Sequence, residues 1–136
     1  MADLDEIERV IKLYGYVIDD REWDRLAEVF AEDASFVVEG TGIDFEGLAA
    51  IDAFMRSYPH PLAHYSTNIL IDVGEGADTA RAEVKVWAPR ADGTAFIGKY
   101  LDDLVRTPKG WRFRRRHVIV TERRWAPAAR APAEES

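Results

Sequence analysis

The sequence predicts an α+β fold, in which N-terminal helices pack into the concave face of a strongly bent, mixed or antiparallel sheet. Helical periodicity dominates the first 31 residues, and alternation typical of strands dominates the chain after residue 62. The 136 residues suffice for one hydrophobic core. We therefore predict a single cone-shaped α+β barrel domain over residues 1–125, followed by a disordered tail, rich in Ala and Pro, over 126–136.

The first helix is predicted over residues 3–20. Its acidic first turn suits the positive end of a helix dipole, and its apolar residues recur at helical spacing: Leu4, Ile7, Val10, Ile11, Tyr14 and Ile18. A second, short helix is predicted over 21–31 and a third over 48–57. Pro59 and Pro61 block continuation of the third helix.

A strand pair, at 35–39 and 43–47, is predicted before the third helix, and the remaining strands follow it. These strands are predicted at 64–73, 80–88, 94–106 and 111–124. Alternation in the last strand slips near 114–116, and because a slip exchanges the two faces of a strand, we predict a bulge and a bend there. A sheet bent around the first helix encloses an apolar interior, which is a default small-molecule site.

Composition narrows the possible functions. A net charge of -7 argues against nucleic acid as the partner, and the absence of cysteine excludes disulfide and thiolate chemistry. Three histidines are too few for a typical multi-histidine metal site, so we predict no metal ligands. We expect no cofactor either. There is no apolar run of membrane-spanning length and the N-terminus is acidic, so we expect no membrane association and a cytoplasmic location.

A proton-transfer pair is the main functional prediction. His64 stands at the entrance of an apolar strand, and Asp19 ends the first helix. Imidazole has an ordinary pKa of about 6.5, and a carboxylate on one ring nitrogen fixes the tautomer and stabilises the imidazolium. In the alternative, structural interpretation, Asp19 caps the helix or pairs with Arg21, and His64 is a core histidine.

Further polar and aromatic residues are candidates for contact with a substrate. Tyr14 and Tyr16 can each donate a hydrogen bond to a substrate oxygen, but Tyr14 lies about 140° around an ideal helix from Asp19. Both Tyr14 and Asp19 can line the cavity only if the helix end unwinds. Asn68, four residues after His64, either orients a substrate or satisfies backbone groups. Three aromatic residues are predicted to line the cavity or the core: Phe54, Trp87 and Tyr100.

Other positions point to the mouth of the cavity and to the outer surface. His60, between two prolines, is predicted at the pocket mouth. For His117 we favour a surface or interface position, and the sequence leaves open whether it or an arginine of 114–116 enters the cavity. The outer sheet face is expected to carry Ile69, Ile71, Val84 and Val86 or their neighbours. An apolar face of this kind predicts a homo-oligomer.

Three segments, Tyr14–Ala34, His64–Asn68 and Gly98–Phe113, together resemble SnoaL-like proteins of the nuclear-transport-factor-2-like superfamily. The resemblance covers about residues 5–124. It implies the cone-shaped fold, with a dimer or a trimer as the assembly.

The resemblance also implies an activity. The likeness extends to scytalone dehydratase, bile-acid 7α-dehydratase and lindane dehydrochlorinase, in which a His paired with an Asp removes a proton as a leaving group departs. By motif position it implies His64 as base, Asp19 as its partner and Tyr14 as an oxygen-binding donor, in a cofactor-independent lyase or isomerase for a small hydrophobic cyclic molecule. A further acid or arginine of some members has no clear match, and Trp87 occupies one such position. A polyketide-cyclase-like enzyme and a non-catalytic binding or assembly module are the alternatives.

Overall fold

The structure, a computed structural model, describes residues 2–123. Along the chain, the elements are helix α1 (Asp3–Asp19), a 3-10 helix (Trp23–Glu28), strands β1 (Phe30–Val38) and β2 (Asp44–Glu46), helix α2 (Leu48–Ser57), and strands β3 (Tyr65–Val73), β4 (Thr79–Pro89), β5 (Ala95–Thr107) and β6 (Gly110–Val120). This order confirms the α+β prediction. The tail predicted over 126–136 lies outside the described residues.

Helix α1 forms where its apolar periodicity predicts, and it ends for an identifiable reason. Its buried face includes Ile7, Ile11 and Ile18. Arg21 adopts a positive φ of 57°, a conformation that cannot continue an α-helix. The Arg21 side chain turns back, and its Nη1 donates to the carbonyl oxygen of Ile18 at 2.6 Å. The Ile18 carbonyl oxygen also accepts the backbone N–H of Arg21 at 3.2 Å, so Arg21 caps this helix end with both its backbone and its side chain.

The predicted second helix is shorter and tighter than expected. It is a 3-10 helix, and β1 begins at Phe30, inside the range predicted as helical. Phe30 and Ala34 are buried, and Phe30 lies opposite Phe113 in a parallel pairing with β6. Pairing with a distant strand therefore outweighs the local helical pattern, as tertiary context often does.

The sheet has six strands in the order β2-β1-β6-β5-β4-β3. The β1–β6 pair is parallel and all other pairs are antiparallel, so the sheet is mixed. Strands β2 and β3 each pair on one side only within residues 2–123, so the curved sheet stays open there. The predicted cone is correct, but the part of the chain that the structure describes does not form a closed barrel.

The predicted slip in the last strand is a β-bulge. Asp103 lies opposite Arg115 and Leu104 lies opposite Phe113, so Arg114 is the extra residue of β6. Before the bulge, Trp111 and Phe113 point into the core; after it, Arg116 and Val118 do. The bulge therefore turns an arginine into the protein interior.

The outer face of the sheet carries the neighbours of the four named residues, which is the second of the two predicted sets. Val84 and Val86 are buried, and Ile69 and Ile71 pack against the same core. Alternation along β3 and β4 places their neighbours outward instead, and among them Leu70 is 65% exposed. The four named residues thus cannot form an outer contact surface, and the homo-oligomer remains a prediction based on their neighbours.

Candidate functional site

A cavity of about 240 Å³ lies between the helices and the inner face of the sheet. Its walls come from α1, α2, β1, β5, β6 and the loops that connect them. The lining residues are Tyr14, Phe36, Val38, Thr41, Ile43, Phe54, Met55, Tyr58, Pro59, His60, Pro61, His64, Arg90, Phe96, Tyr100, Val118, Val120 and Arg123. The walls are mostly apolar with a few polar groups, which is typical of small-molecule sites.

Asp19 and His64 meet at one wall of this cavity. His64 Nδ1 lies 2.6 Å from Asp19 Oδ1, and the His64 backbone N–H donates to Asp19 Oδ2 at 2.9 Å. The carboxylate therefore holds both the ring and the backbone of one residue. His64 lines the cavity, whereas Asp19 lies behind it. Because Nδ1 carries the hydrogen bonded to the carboxylate, Nε2 is the nitrogen left to accept a proton, and no partner within residues 2–123 engages it.

A glycine allows this close approach between helix α1 and the segment before β3. A Cβ atom on Gly15 would lie 3.0 Å from the carbonyl oxygen of His64 and 3.7 Å from its Cβ. Glycine lowers helix stability, so its place in the middle of α1 fits a packing requirement. Helix α1 stays regular through Asp19. Tyr14 lines the cavity and Asp19 does not, so the end of α1 need not unwind. The Asp19 carboxylate is connected to the cavity through His64.

Tyr14 and Tyr100 form the inner wall beside His64. The Tyr14 ring lies 6.0 Å from the His64 ring and 5.8 Å from the Tyr100 ring, with edge-on geometry in both cases. Burial raises the pKa of Tyr14 to about 12, against the opposing effect of the Arg116 guanidinium. Burial likewise places the pKa of Tyr100 well above its usual value. Both phenols therefore keep their protons at neutral pH and are hydrogen-bond donors.

A buried ion pair supports these two tyrosines, and the sequence did not identify it. Arg116 Nε and Nη2 donate to the two carboxylate oxygens of Asp102, each at 2.8 Å, and both side chains are fully buried. The guanidinium carbon lies 3.7 Å from the Tyr100 ring centre, 4.4 Å from that of Tyr14 and 4.1 Å from that of Phe113. Nη1 of Arg116 is buried without a hydrogen-bond partner within residues 2–123.

The charges of this pair follow from its geometry. Burial raises the pKa of the Asp102 carboxyl, and the Arg116 guanidinium opposes that change. Burial disfavours the charged form of Arg116, but the Asp102 carboxylate prevails and raises the pKa of the guanidinium. With two short hydrogen bonds from a fixed cation, the pair is ionised at neutral pH. The predicted slip near 114–116 was the signal that could have located Arg116 in the interior.

His60 lies at the mouth of the cavity, where the flanking prolines led us to expect it. Its Nε2 donates to the carbonyl oxygen of Met55 at 2.8 Å, and its ring contacts the rings of Trp23 and Tyr58. Burial lowers the pKa of His60, and the hydrogen bond to Met55 opposes this shift. His60 is therefore predominantly neutral at pH 7. Phe54, the other predicted aromatic of this wall, also lines the cavity.

Three predicted substrate contacts lie away from the cavity, and those predictions are wrong. Tyr16 is 66% exposed, because it lies two positions after Tyr14 and therefore on the opposite face of the helix. Asn68 is exposed with φ 49°, at an irregularity between β3 and β4 that breaks the alternation counted from His64. Trp87 is 47% exposed and stacks on Tyr65 at 5.5 Å, on the outer face of the sheet.

The basic residues near the bulge divide between the surface and the interior. Arg114 and Arg115 are exposed, and His117 lies 3.6 Å from the Glu39 carboxylate without lining the cavity. Arg116 points inward but lies behind Tyr14 and Tyr100, and it does not line the cavity either. The question that the sequence left open is therefore answered: within residues 2–123, this cluster contributes no cavity-lining residue.

Residues 2–123 contain no group of three or more His, Cys, Asp or Glu side chains placed to hold a metal ion. Over the same range, no helix combines the length and apolar character needed to cross a membrane.

Solved structures place this architecture among nuclear-transport-factor-2-like proteins. One such protein with a cystatin-like fold, from Novosphingobium aromaticivorans, is 27% identical with a TM-score of 0.74, over 93% of this chain and 87% of its own. A candidate aromatic ring hydroxylase from the same organism is 31% identical with a TM-score of 0.72, over 87% and 88%. A candidate scytalone dehydratase, also from that organism, is 24% identical with a TM-score of 0.69, over 85% and 81%.

Sequence comparison identifies the family. The model of the SnoaL-like domain matches residues 1–117, so the chain belongs to the SnoaL-like family. Uncharacterized proteins of Mycobacterium tuberculosis and Mycobacterium bovis are 31% identical over 85% of this chain and 84% of their own length. The suspected resemblance is thus confirmed at the level of family and fold, and these relatives assign no reaction.

Proposed function

We propose that the protein is a cofactor-independent lyase or isomerase that removes a proton from a carbon acid in a small hydrophobic cyclic substrate. The observation that carries this proposal is the 2.6 Å contact of Asp19 Oδ1 with His64 Nδ1 at the wall of an apolar cavity. This contact orients Nε2 as a base, and general-base catalysis contributes typically about 10²–10⁴-fold.

The other groups of the cavity suit the charge that develops. As Nε2 of His64 takes the proton, the electron pair of the C–H bond moves towards an adjacent carbonyl carbon, and negative charge builds on the carbonyl oxygen. Tyr14 and Tyr100 are buried, protonated donors, and hydrogen bonds from buried donors are stronger than those made in water. The Asp19 carboxylate stabilises the imidazolium that forms.

Two outcomes follow from this intermediate. In a lyase, the electron pair forms a carbon–carbon double bond as a leaving group on the next carbon departs with its own pair. In an isomerase, the proton returns to a different carbon. Because one fold neighbour is named as a candidate scytalone dehydratase, elimination is the first outcome to test.

The proposal is tested by proton exchange and by turnover. We would incubate cyclic ketones, with and without a β-hydroxyl group, with the protein in D₂O and follow loss of the α-proton signal and formation of enone by NMR. We expect His64→Ala to lose about 10²–10⁴-fold in rate and Asp19→Asn to lose less. Tyr16→Phe, on the opposite face of α1, is the control and should match wild type. Equal rates for wild type and His64→Ala would refute the proposal.

A non-catalytic binding module is the second candidate, because the same cavity can hold an apolar ligand without reaction and a fold does not define an activity. Under that alternative, ketones that bind to wild type would show neither exchange nor elimination. Binding measured by ligand-observed NMR in the same samples separates the two functions.

A further inference from the structure

The charge of the cavity wall differs from that of the whole protein. The chain carries 25 Asp and Glu against 18 Lys and Arg, yet none of the described residues that line the cavity is acidic. Two arginines, Arg90 and Arg123, do line it. His60 adds no charge near pH 7, because burial lowers its pKa. The two guanidinium groups therefore make the lining positive in a protein that is negative overall.

Neither arginine has a carboxylate partner among residues 2–123. The Arg90 side chain makes one long hydrogen bond, from Nη1 to Thr94 Oγ1 at 3.3 Å. Elsewhere the acidic chain readily supplies partners, as in the contact of Arg106 with Asp3 at 2.7 Å. The pKa of Asp92 is lowered by the hydrogen bonds that its Oδ1 already accepts from the hydroxyl and the backbone N–H of Thr94, and further by the charge of Arg90. Two cations that form no ion pair within residues 2–123 leave room for an anionic ligand group.

The two arginines and the proposed base lie at different depths. Tyr14 and Tyr100 are buried, as is the His64 side chain at 7% exposure, whereas Arg90 and Arg123 are exposed. Arg90 follows β4, and Arg123 lies in a short helical turn after β6, so the two arginines reach the cavity from different segments of the chain. Between rim and interior the walls are apolar, with Phe36, Phe54, Phe96 and Val118 among them.

We propose that the substrate is a hydrophobic ring that bears an anionic substituent, such as a carboxylate, held at the rim by Arg90 and Arg123 while the reacting carbon lies inside. This inference rests on the proposed function, because it assigns the orientation of the substrate in the same cavity. Arginine suits the role, since its planar fork matches the two oxygens of a carboxylate.

The test is a binding measurement on matched probes. Benzoate, cyclohexanecarboxylate and 2-naphthoate would each be compared with the corresponding neutral amide by calorimetry and by ligand-observed NMR. We expect the carboxylates to bind more tightly than their amides, and this preference to weaken with added salt, because exposed charges are screened. Because the rim is exposed, each of Arg90→Gln and Arg123→Gln should cost a few-fold in carboxylate affinity and the double variant about tenfold.

The control is Arg115→Gln, which removes the same charge from the outer face of the sheet. Arg115 is exposed and does not line the cavity. Its substitution should leave the carboxylate preference unchanged. An equal loss in Arg115→Gln, equal affinity of wild type for acid and amide, or failure of every carboxylate to bind would each overturn the inference.

This measurement is independent of the catalytic proposal. Loss of the carboxylate preference while exchange still depends on His64 would refute the assigned substrate class alone. A clear preference in a protein that catalyses no exchange would retain the anionic ligand and refute the catalysis.

Discussion

The buried pair of Asp102 and Arg116 gives the sharpest stability prediction. Both side chains are fully buried, and the carboxylate accepts two hydrogen bonds of 2.8 Å. Asp102→Asn keeps the shape but removes the charge, and it turns an amide NH₂ towards a donor of the guanidinium. The remaining cation would then be buried without compensation, which typically costs about 3–5 kcal/mol. For a domain with about 5–15 kcal/mol of stability, that is a large fraction of the total.

A double-mutant cycle separates the pair from its surroundings. Asp102→Leu with Arg116→Met removes both charges and fills a similar volume with apolar groups, so we expect stability within about 1 kcal/mol of wild type or above it. Arg116→Met alone leaves a buried carboxylate and Asp102→Leu alone leaves a buried guanidinium, so each should cost about as much as Asp102→Asn. A coupling free energy of about 5 kcal/mol or more would follow from these values.

Urea unfolding followed by circular dichroism measures these differences. With a slope of about 2 kcal/mol/M, a loss of about 3 kcal/mol lowers the midpoint by about 1.5 M. Asp103→Asn is the matched control, because the exposed Asp103 pairs with Arg81 at 3.5 Å and such contacts contribute about 0–1 kcal/mol. The reasoning fails if Asp102→Asn costs no more than Asp103→Asn.

Two further predictions concern helix α1. Gly15→Ala should gain up to about 1 kcal/mol from helix propensity, but the new Cβ would press on the His64 carbonyl oxygen. We therefore expect shifted ¹⁵N resonances of the His64 ring and no net stabilisation. Gly42→Ala, where a Cβ meets no neighbouring atom, is the control. Stabilisation with unchanged His64 resonances would contradict this. Between pH 10 and 12 an unfolded Tyr14 loses its proton while the folded one, with a pKa of about 12, keeps it, so stability falls as pH rises, by about 2 kcal/mol for this group. Tyr14→Phe should reduce the fall of the urea unfolding midpoint with pH over that range, whereas Tyr16→Phe should not. Equal slopes of midpoint against pH in the two variants would refute the attribution to Tyr14.

Periodicity in the sequence was enough to predict most of the fold. The positions of α1, α2 and the strands after residue 62 follow from patterns that each segment carries by itself. The start of β1 was missed because it depends on pairing with β6, more than 75 residues away in sequence, as in the match of Phe30 with Phe113. A local pattern contains no information about such a partner.

The same limit explains which site residues were missed or misplaced. Asn68 was counted along an ideal strand from His64, but an irregularity in β3 intervenes. Arg116 belongs to a run of three arginines that looks like a solvated surface, and only the bulge at Arg114 separates it from its exposed neighbours. One inserted residue decides whether a cation faces water or the interior, and the sequence indicated the slip without indicating which arginine it would bury.

The charges around His64 support the proposal that it acts as a base. Among residues 2–123, the charged groups that act on Tyr14 and Tyr100 are Asp19, behind the imidazole, and the ion pair of Asp102 and Arg116, behind the tyrosines. Asp19 holds the imidazole through Nδ1, which leaves Nε2 as the nitrogen that can accept a proton. Arg116, beneath Tyr14 and Tyr100, favours negative charge on a ligand oxygen that they contact. A proton moving from ligand carbon to His64 separates charge in the direction that these fixed groups stabilise. Transfer in the opposite direction, from an imidazolium to a neutral ligand, would run against both groups.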